Sequence, residues 1–115
     1  MTLWLLGLCQ TTQWSLSPNA AVHVGSTATF TCHTGDNTTC FVYQGNIWDF
    51  HKIDVCRKGW DDKFTDRCNV TTQRTEGTVT LTISDVRLSD AGFYSCGDCF
   101  NPTKVTTHLL VLGKN

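Results

Sequence analysis

A chain of 115 residues fits one domain, and its net charge of −1 from 9 basic and 10 acidic residues lacks the clustered Lys and Arg that nucleic acid or an anionic membrane requires. Seven cysteines in so short a chain point to an oxidising compartment rather than the cytosol. Beyond the first residues no apolar run approaches the roughly 20 residues of a membrane span. The expected setting is therefore extracellular, with any membrane attachment made through segments absent from this sequence.

Residues 1–9 carry an apolar run from Leu3 to Leu8 with small Gly7 and Cys9 placed as for signal peptidase, and read as a signal-peptide remnant, with an extra apolar N-terminal strand as the alternative. The domain then runs over 10–115. Ser15 to Pro18 reads as an edge strand, because proline costs an edge no ladder bond, and 22–26 reads as the second half of that edge and a turn. Residues 27–32 alternate with Ala28, Phe30 and Cys32 inward. A polar loop over 33–39 follows, in which Asn37-Thr38-Thr39 is an N-glycosylation acceptor.

Strands are expected at 40–44 and about 51–57, then a charged loop or frayed short strand over 58–66 and a strand over 67–72. That strand holds a second acceptor, Asn69-Val70-Thr71; Asn101-Pro102-Thr103 is excluded by its proline. Thr78, Thr80 and Thr82 alternate with Val79, Leu81 and Ile83, the period of two of a half-buried strand. A polar turn or short helical link over 85–89 leads to a strand over 91–97. The last strand spans 104–112, with Val105, Leu109 and Val111 as inward candidates.

The spacing Asp90, Gly92, Tyr94, Cys96 resembles the tyrosine corner of immunoglobulin-like domains, in which a tyrosine precedes the second core cysteine by two residues. Cys32, 64 positions upstream of Cys96, then resembles its partner across two sheets. Arg67 resembles the arginine that pairs with the aspartate before the corner in variable-type members, so the resemblance implies an Arg67–Asp90 salt bridge and a buried Tyr94. The expected fold is an all-β, two-sheet antiparallel immunoglobulin-like sandwich of the V-set or a shortened V/I-like form. Two departures narrow the family. Phe41 stands where most members have a core tryptophan, and no Phe-Gly-x-Gly bulge opens the last strand. The chain thus resembles germline-encoded, non-rearranging leukocyte receptors more than antibodies or T-cell receptors.

Four further cysteines in the domain allow three pairings. If Phe41 faces the core, Cys40 faces out beside the strand that ends near Cys99, which favours Cys40–Cys99 and leaves Cys56–Cys68 as a local clip. A set containing Cys40–Cys56 stays open, being similar to the extra bridge of the polymeric immunoglobulin receptor. Cys96-Gly97-Asp98-Cys99 supplies only two ligands and no second pair exists, so no metal is expected. His23, His33, His51 and His108 form no ligand spacing. Asp61-Asp62 reads as a solvated loop rather than a calcium site. With no Gly-x-Ser-x-Gly elbow and no paired carboxylates in an apolar setting, neither an enzyme nor a cofactor is expected.

Thr39 to Tyr43, then Cys56-Arg57-Lys58-Gly59, Cys68 and the corner together resemble the leukocyte immune-type receptors of bony fish, with myeloid triggering receptors and polymeric immunoglobulin receptor relatives close behind. That resemblance implies the outer domain of a type I membrane receptor recognising a protein ligand, MHC-like or immunoglobulin. A secreted decoy or opsonin and an adhesion or homodimerisation module are the alternatives. Trp48 and Trp60 read either as cover for a shortened strand region or, for Trp60 with Phe100, as interface anchors. Glycans on Asn37 and Asn69 would leave one sheet face clear, with Asp36, Trp60, Asp98, Phe100 and Lys104 as the expected ligand-binding residues.

Overall fold

The computed structural model describes residues 15–18, 20–33, 39–45, 53–56, 63–64, 66–73, 75–98 and 104–113. Nine strands occur among them: β1 (Ser15–Leu16), β2 (Ala20–His23), β3 (Ala28–His33), β4 (Thr39–Gln44), β5 (Ile53–Asp54), β6 (Cys68–Gln73), β7 (Thr78–Ile83), β8 (Gly92–Asp98) and β9 (Lys104–Leu112). A single 3-10 turn over Leu88–Asp90 precedes β8. They form two sheets, one in the order β1-β3-β7-β6 and one in the order β2-β9-β8-β4-β5. All ladders are antiparallel except β2 on β9. The fold is an all-β sandwich.

The parallel pair changes the reading of the N-terminal edge. Residues 22–26 were expected to continue the edge begun at Ser15, yet Ala20–His23 crosses to the other sheet and pairs Ala20 with Leu109 and Val22 with Val111. Pro18 explains the switch. The Ser17 amide donates to Thr31 O at 3.1 Å, but proline has no N–H to continue the ladder. The chain then leaves β3, and Val22 is half-buried against the core from the opposite sheet.

Period-two burial sets the core. Ala28, Phe30 and Cys32 face Ile83, Leu81 and Val79 across the β3–β7 ladder, and all six are nearly inaccessible. From the other sheet come Phe41 and Tyr43 on β4, Tyr94 and Cys96 on β8, and Leu109 and Val111 on β9. Val105 packs half-buried against the core as expected, and the buried Thr107 is a further inward position between it and Leu109. The rings form one cluster, with Phe30 stacked on Tyr94 at 4.9 Å and Tyr43 tilted against Tyr94 at 5.1 Å. Phe41, at the position of the missing tryptophan, is buried in the same core.

The strand expected over about 51–57 pairs only at Ile53 and Asp54, opposite Tyr43 and Val42. Val55 turns into the core while its amide donates to Phe41 O at 2.9 Å. Cys56 then adopts φ 68°, a left-handed conformation that cannot extend a strand.

Candidate interaction face and the corner that supports it

Arg67, the residue before β6, reaches across one end of the sandwich to Asp90. Its Nη1 donates to Asp90 Oδ2 at 2.7 Å and its Nη2 to Oδ1 at 3.1 Å. Nη2 also donates to Lys63 O, and Nη1 to Asp85 O. Asp90 Oδ2 accepts the Arg87 amide as well. Burial alone would raise the Asp90 pKa, but the Arg67 and Arg87 bonds, with the charges of Arg67 and Lys63, outweigh it and hold the carboxyl below its ordinary value. The bond to Asp90 raises the Arg67 pKa in turn.

Lys63 joins this group. Its Nζ donates to Ser89 O at 2.6 Å, lies 3.9 Å from Asp90 Oδ1 and sits over the Tyr43 ring at 5.0 Å. Phe64 beside it is buried and meets Tyr43 edge-on at 5.5 Å. Both residues lie in a segment whose sequence reads as a charged loop or a frayed short strand. The missed signal was a lone Phe within charges.

The Tyr94 hydroxyl donates to Asp90 O at 2.6 Å, which closes the corner. Burial pushes the Tyr94 hydroxyl pKa far above its ordinary value. The Tyr43 hydroxyl fastens the other side of the turn, donating to Ala91 O at 2.8 Å. Gly92 permits this approach: at φ +147° a Cβ would stand 2.8 Å from Gln44 O and 2.9 Å from Tyr43 Cε1.

Cys32 and Cys96 are joined through the core with Cα atoms 6.3 Å apart, and Cys56 is joined to Cys68 at 5.6 Å. The second bond leaves no place for Cys40–Cys56. Cys40 is also disulfide-bonded, to a cysteine outside the described residues.

Two outer faces remain, and the ladder register gives their composition, since residues directly opposite one another share a face. On the four-stranded sheet the rows are Thr29, Thr82 and Asn69; Thr31, Thr80 and Thr71; and His33, Thr78 and Gln73. Thr31 and Thr80 exchange a hydroxyl contact at 3.4 Å. This face is polar throughout.

The outer face of the five-stranded sheet differs. Its rows by register are Asp54, Val42, Ser95 and Thr106; Gln44, Phe93 and His108; and Cys40, Gly97 and Lys104. The Phe93 and His108 rings lie 4.8 Å apart, and Ser95 and Thr106 share a hydroxyl contact at 2.9 Å. Val42 is only 7% exposed although it points away from the core cluster. Further along β9, Leu110 and Leu112 are 49% and 37% exposed on this side. On β9 the described outward positions Thr106, His108, Leu110 and Leu112 carry no Asp, Glu, Lys or Arg, so this part of the face can be desolvated without stripping water from a formal charge.

Of the residues expected to bind a ligand, Asp98 is the last residue of β8 opposite Thr39, and Lys104 is the first of β9 opposite Gly97. Asp36, Trp60 and Phe100, together with Asn37, Trp48 and Cys99, lie outside the described residues. Residues 1–9 do so as well. Asn69 is exposed on β6 with its Nδ2 3.4 Å from Thr71 Oγ1. Among the described residues no helix is long and apolar enough to cross a membrane.

No curated protein matches the chain. The family model of the immunoglobulin V-set domain matches residues 17–112, which spans both sheets, the core disulfide and the corner. A tyrosine corner and an inter-sheet disulfide are independent features of one architecture, and the chain belongs to the immunoglobulin V-set domain family.

Proposed function

We propose that this domain is the ligand-recognising ectodomain of a non-rearranging leukocyte cell-surface receptor, and that it takes a protein ligand, MHC-like or immunoglobulin, on the outer face of the β2-β9-β8-β4-β5 sheet. V-set domains commonly serve as extracellular binding modules. The observation that carries the choice of face is the contrast between the two sheets: threonine rows on one, and Phe93, His108, Leu110 and Leu112 on the other. Partly exposed aromatic and aliphatic side chains within a polar rim form the usual anatomy of an interface core.

Sugars on Asn37 and Asn69 shield the loop before β4 and the β6 side, pushing a partner to the opposite sheet. Asp36, Trp60, Asp98 and Phe100 supply contacts at the loop ends, with Arg57, Lys58 and Lys104 as a basic rim. We assign Cys99 as the partner of Cys40. In the β4–β8 register Cys40 faces Gly97, and Cys99 follows Gly97 by two residues in the sequence. The bridge holds the segment carrying Phe100 to β4 and lowers the ordering cost of binding.

The test is surface capture of the glycosylated domain against a panel of soluble MHC-like and immunoglobulin proteins, repeated with Leu110→Lys and Thr80→Lys. The reading requires at least one specific binder whose affinity falls with Leu110→Lys and survives Thr80→Lys. The reverse pattern moves the site to the threonine face. An absence of any binder in the panel removes the ligand class.

A further inference from the structure

The four outermost strands of the sandwich are not equally protected. β1 and β5 have two residues each and β2 has four, whereas β6 has six, about 20 Å of strand. β6 pairs with β7 on one side and with nothing else among the described residues. Alternate backbone amides and carbonyls of such a strand point outward and form a template for another chain. Natural edges are blunted by brevity, by charge, by proline or by a bulge. The six residues Cys68–Gln73 contain no charged residue and no proline, and the register from Cys68 opposite Ile83 to Gln73 opposite Thr78 runs without a bulge.

The inner row adds a driving force for misuse. Val70 belongs to the core-facing side, opposite Leu81, yet is 38% exposed, and Thr72 beside it is also exposed. A strand added alongside β6 would cover Val70 as well as satisfy the open amides. Past Cys68, which is bonded to Cys56, the feature of Cys68–Gln73 that can blunt the edge is the acceptor Asn69-Val70-Thr71. Asn69 and Thr71 are exposed on the same outer face, with Asn69 Nδ2 3.4 Å from Thr71 Oγ1.

We propose that Asn69 carries an N-linked oligosaccharide and that this sugar protects the open edge of β6 from pairing with another strand. The proposal rests on the extracellular reading above, because the glycosyl donor is met in the secretory compartment. In the modifying step the Asn69 amide nitrogen forms a bond to the anomeric carbon of a lipid-diphosphate-linked oligosaccharide. The anomeric C–O bond breaks, the lipid diphosphate leaves with the electron pair, and the nitrogen gives up one proton. A bulky hydrated chain on an outermost strand then excludes a second backbone from the space that an added strand needs.

The experiment uses the full chain secreted from eukaryotic cells, with Thr71→Ala and Asn69→Gln each removing the acceptor and Thr71→Ser retaining it. Peptide mass spectrometry reads occupancy, and light scattering coupled to size exclusion reads assembly. The expected result is sugar on Asn69 in the parent and Thr71→Ser, both monomeric. Thr71→Ala and Asn69→Gln should keep the parent near-ultraviolet circular dichroism but shift to concentration-dependent dimers and larger species. Adding Val70→Lys to Asn69→Gln puts a charge on the bare edge and should restore the monomer. A secreted chain bare at Asn69 overturns the modification. A sugar at Asn69 whose removal leaves a monomer at every concentration overturns the edge role. A chain retained in the cytosol, bare at both Asn37 and Asn69, overturns the extracellular reading and the proposal with it.

Discussion

Arg67 and Asp90 meet in a two-bond fork at 2.7 and 3.1 Å, with the Asp90 side chain fully buried and that of Arg67 8% exposed. Neither charge can be left alone at that depth. Removing one partner of a buried ion pair strands the other and costs about 3–5 kcal/mol. Asp90→Asn also weakens the bond to the Arg87 amide. Both Arg67→Ala and Asp90→Asn should therefore lower the urea midpoint strongly at unchanged m-value, and the double variant should lose much less than the sum. Additive losses would show that the fork contributes little beyond each residue's separate contacts.

The same pair sets an acid limit. Because the Asp90 pKa is depressed in the folded state, its contribution is fully present above the unfolded carboxylate value of about 3.9. It is lost as pH falls through the folded value. Thermal unfolding followed between pH 7 and pH 2 should show a steep loss below about pH 4, flattened in Asp90→Asn. Tyr94 sets the alkaline limit. Its pKa is raised by burial, so its contribution is present below the unfolded tyrosine value of about 10 and falls as pH rises beyond it. Tyr94→Phe should remove that alkaline component while losing the bond to Asp90 O.

Gly92 admits little else. Its φ of +147° and the 2.8 Å approach to Gln44 O leave an alanine both strained and in collision with backbone. Strain alone costs about 1–3 kcal/mol, and the collision adds to it. Gly92→Ala should unfold at lower denaturant than a glycine-to-alanine change at Gly77, where a Cβ meets nothing within 4 Å. Equal effects at the two sites would mean that the β4–β8 spacing relaxes freely.

The disulfides should differ in consequence. Cys32–Cys96 closes 64 residues and Cys56–Cys68 closes 12, corresponding to about 4 and about 3 kcal/mol in the chain-entropy description. The core pair is inaccessible, whereas Cys56 and Cys68 are half-buried. Mild reductant under native conditions should open the 56–68 bond first, as followed by alkylation and peptide mapping. Prior loss of the 32–96 bond would contradict the burial order.

The sandwich was legible because its signals are local and single-purpose. Alternation over Thr78–Ile83 can only be a half-buried strand, and the spacing from Asp90 to Cys96 joins a turn, a close approach and a core cysteine. Phe64 and Lys63 were not legible, because the cover that a charged loop gives to Tyr43 depends on where the loop lands. The crossing of Ala20–His23 was also hidden. Pro18 is compatible with both an ended edge and a sheet change, and which occurs depends on Leu109 and Val111 being there to receive Ala20 and Val22.

The binding face makes the last prediction. The Phe93–His108 contact and the exposed Leu110 form the middle of a sheet surface, and Phe100 follows β8 at its end, two residues past Asp98. If the ligand lies across this surface, alanine at Phe100 and at Trp60 should each weaken binding tenfold or more, about 1.4 kcal/mol, with the circular dichroism of the parent. Interface energy concentrates in such aromatic anchors. Lys104→Ala belongs to the rim and should act mainly on the association rate, more at low salt than at high. A homodimer through the same face gives a different pattern. Leu110→Lys would then abolish self-association in sedimentation while leaving ligand affinity intact. Unchanged affinity in both aromatic variants would move the site to the threonine face or to another domain.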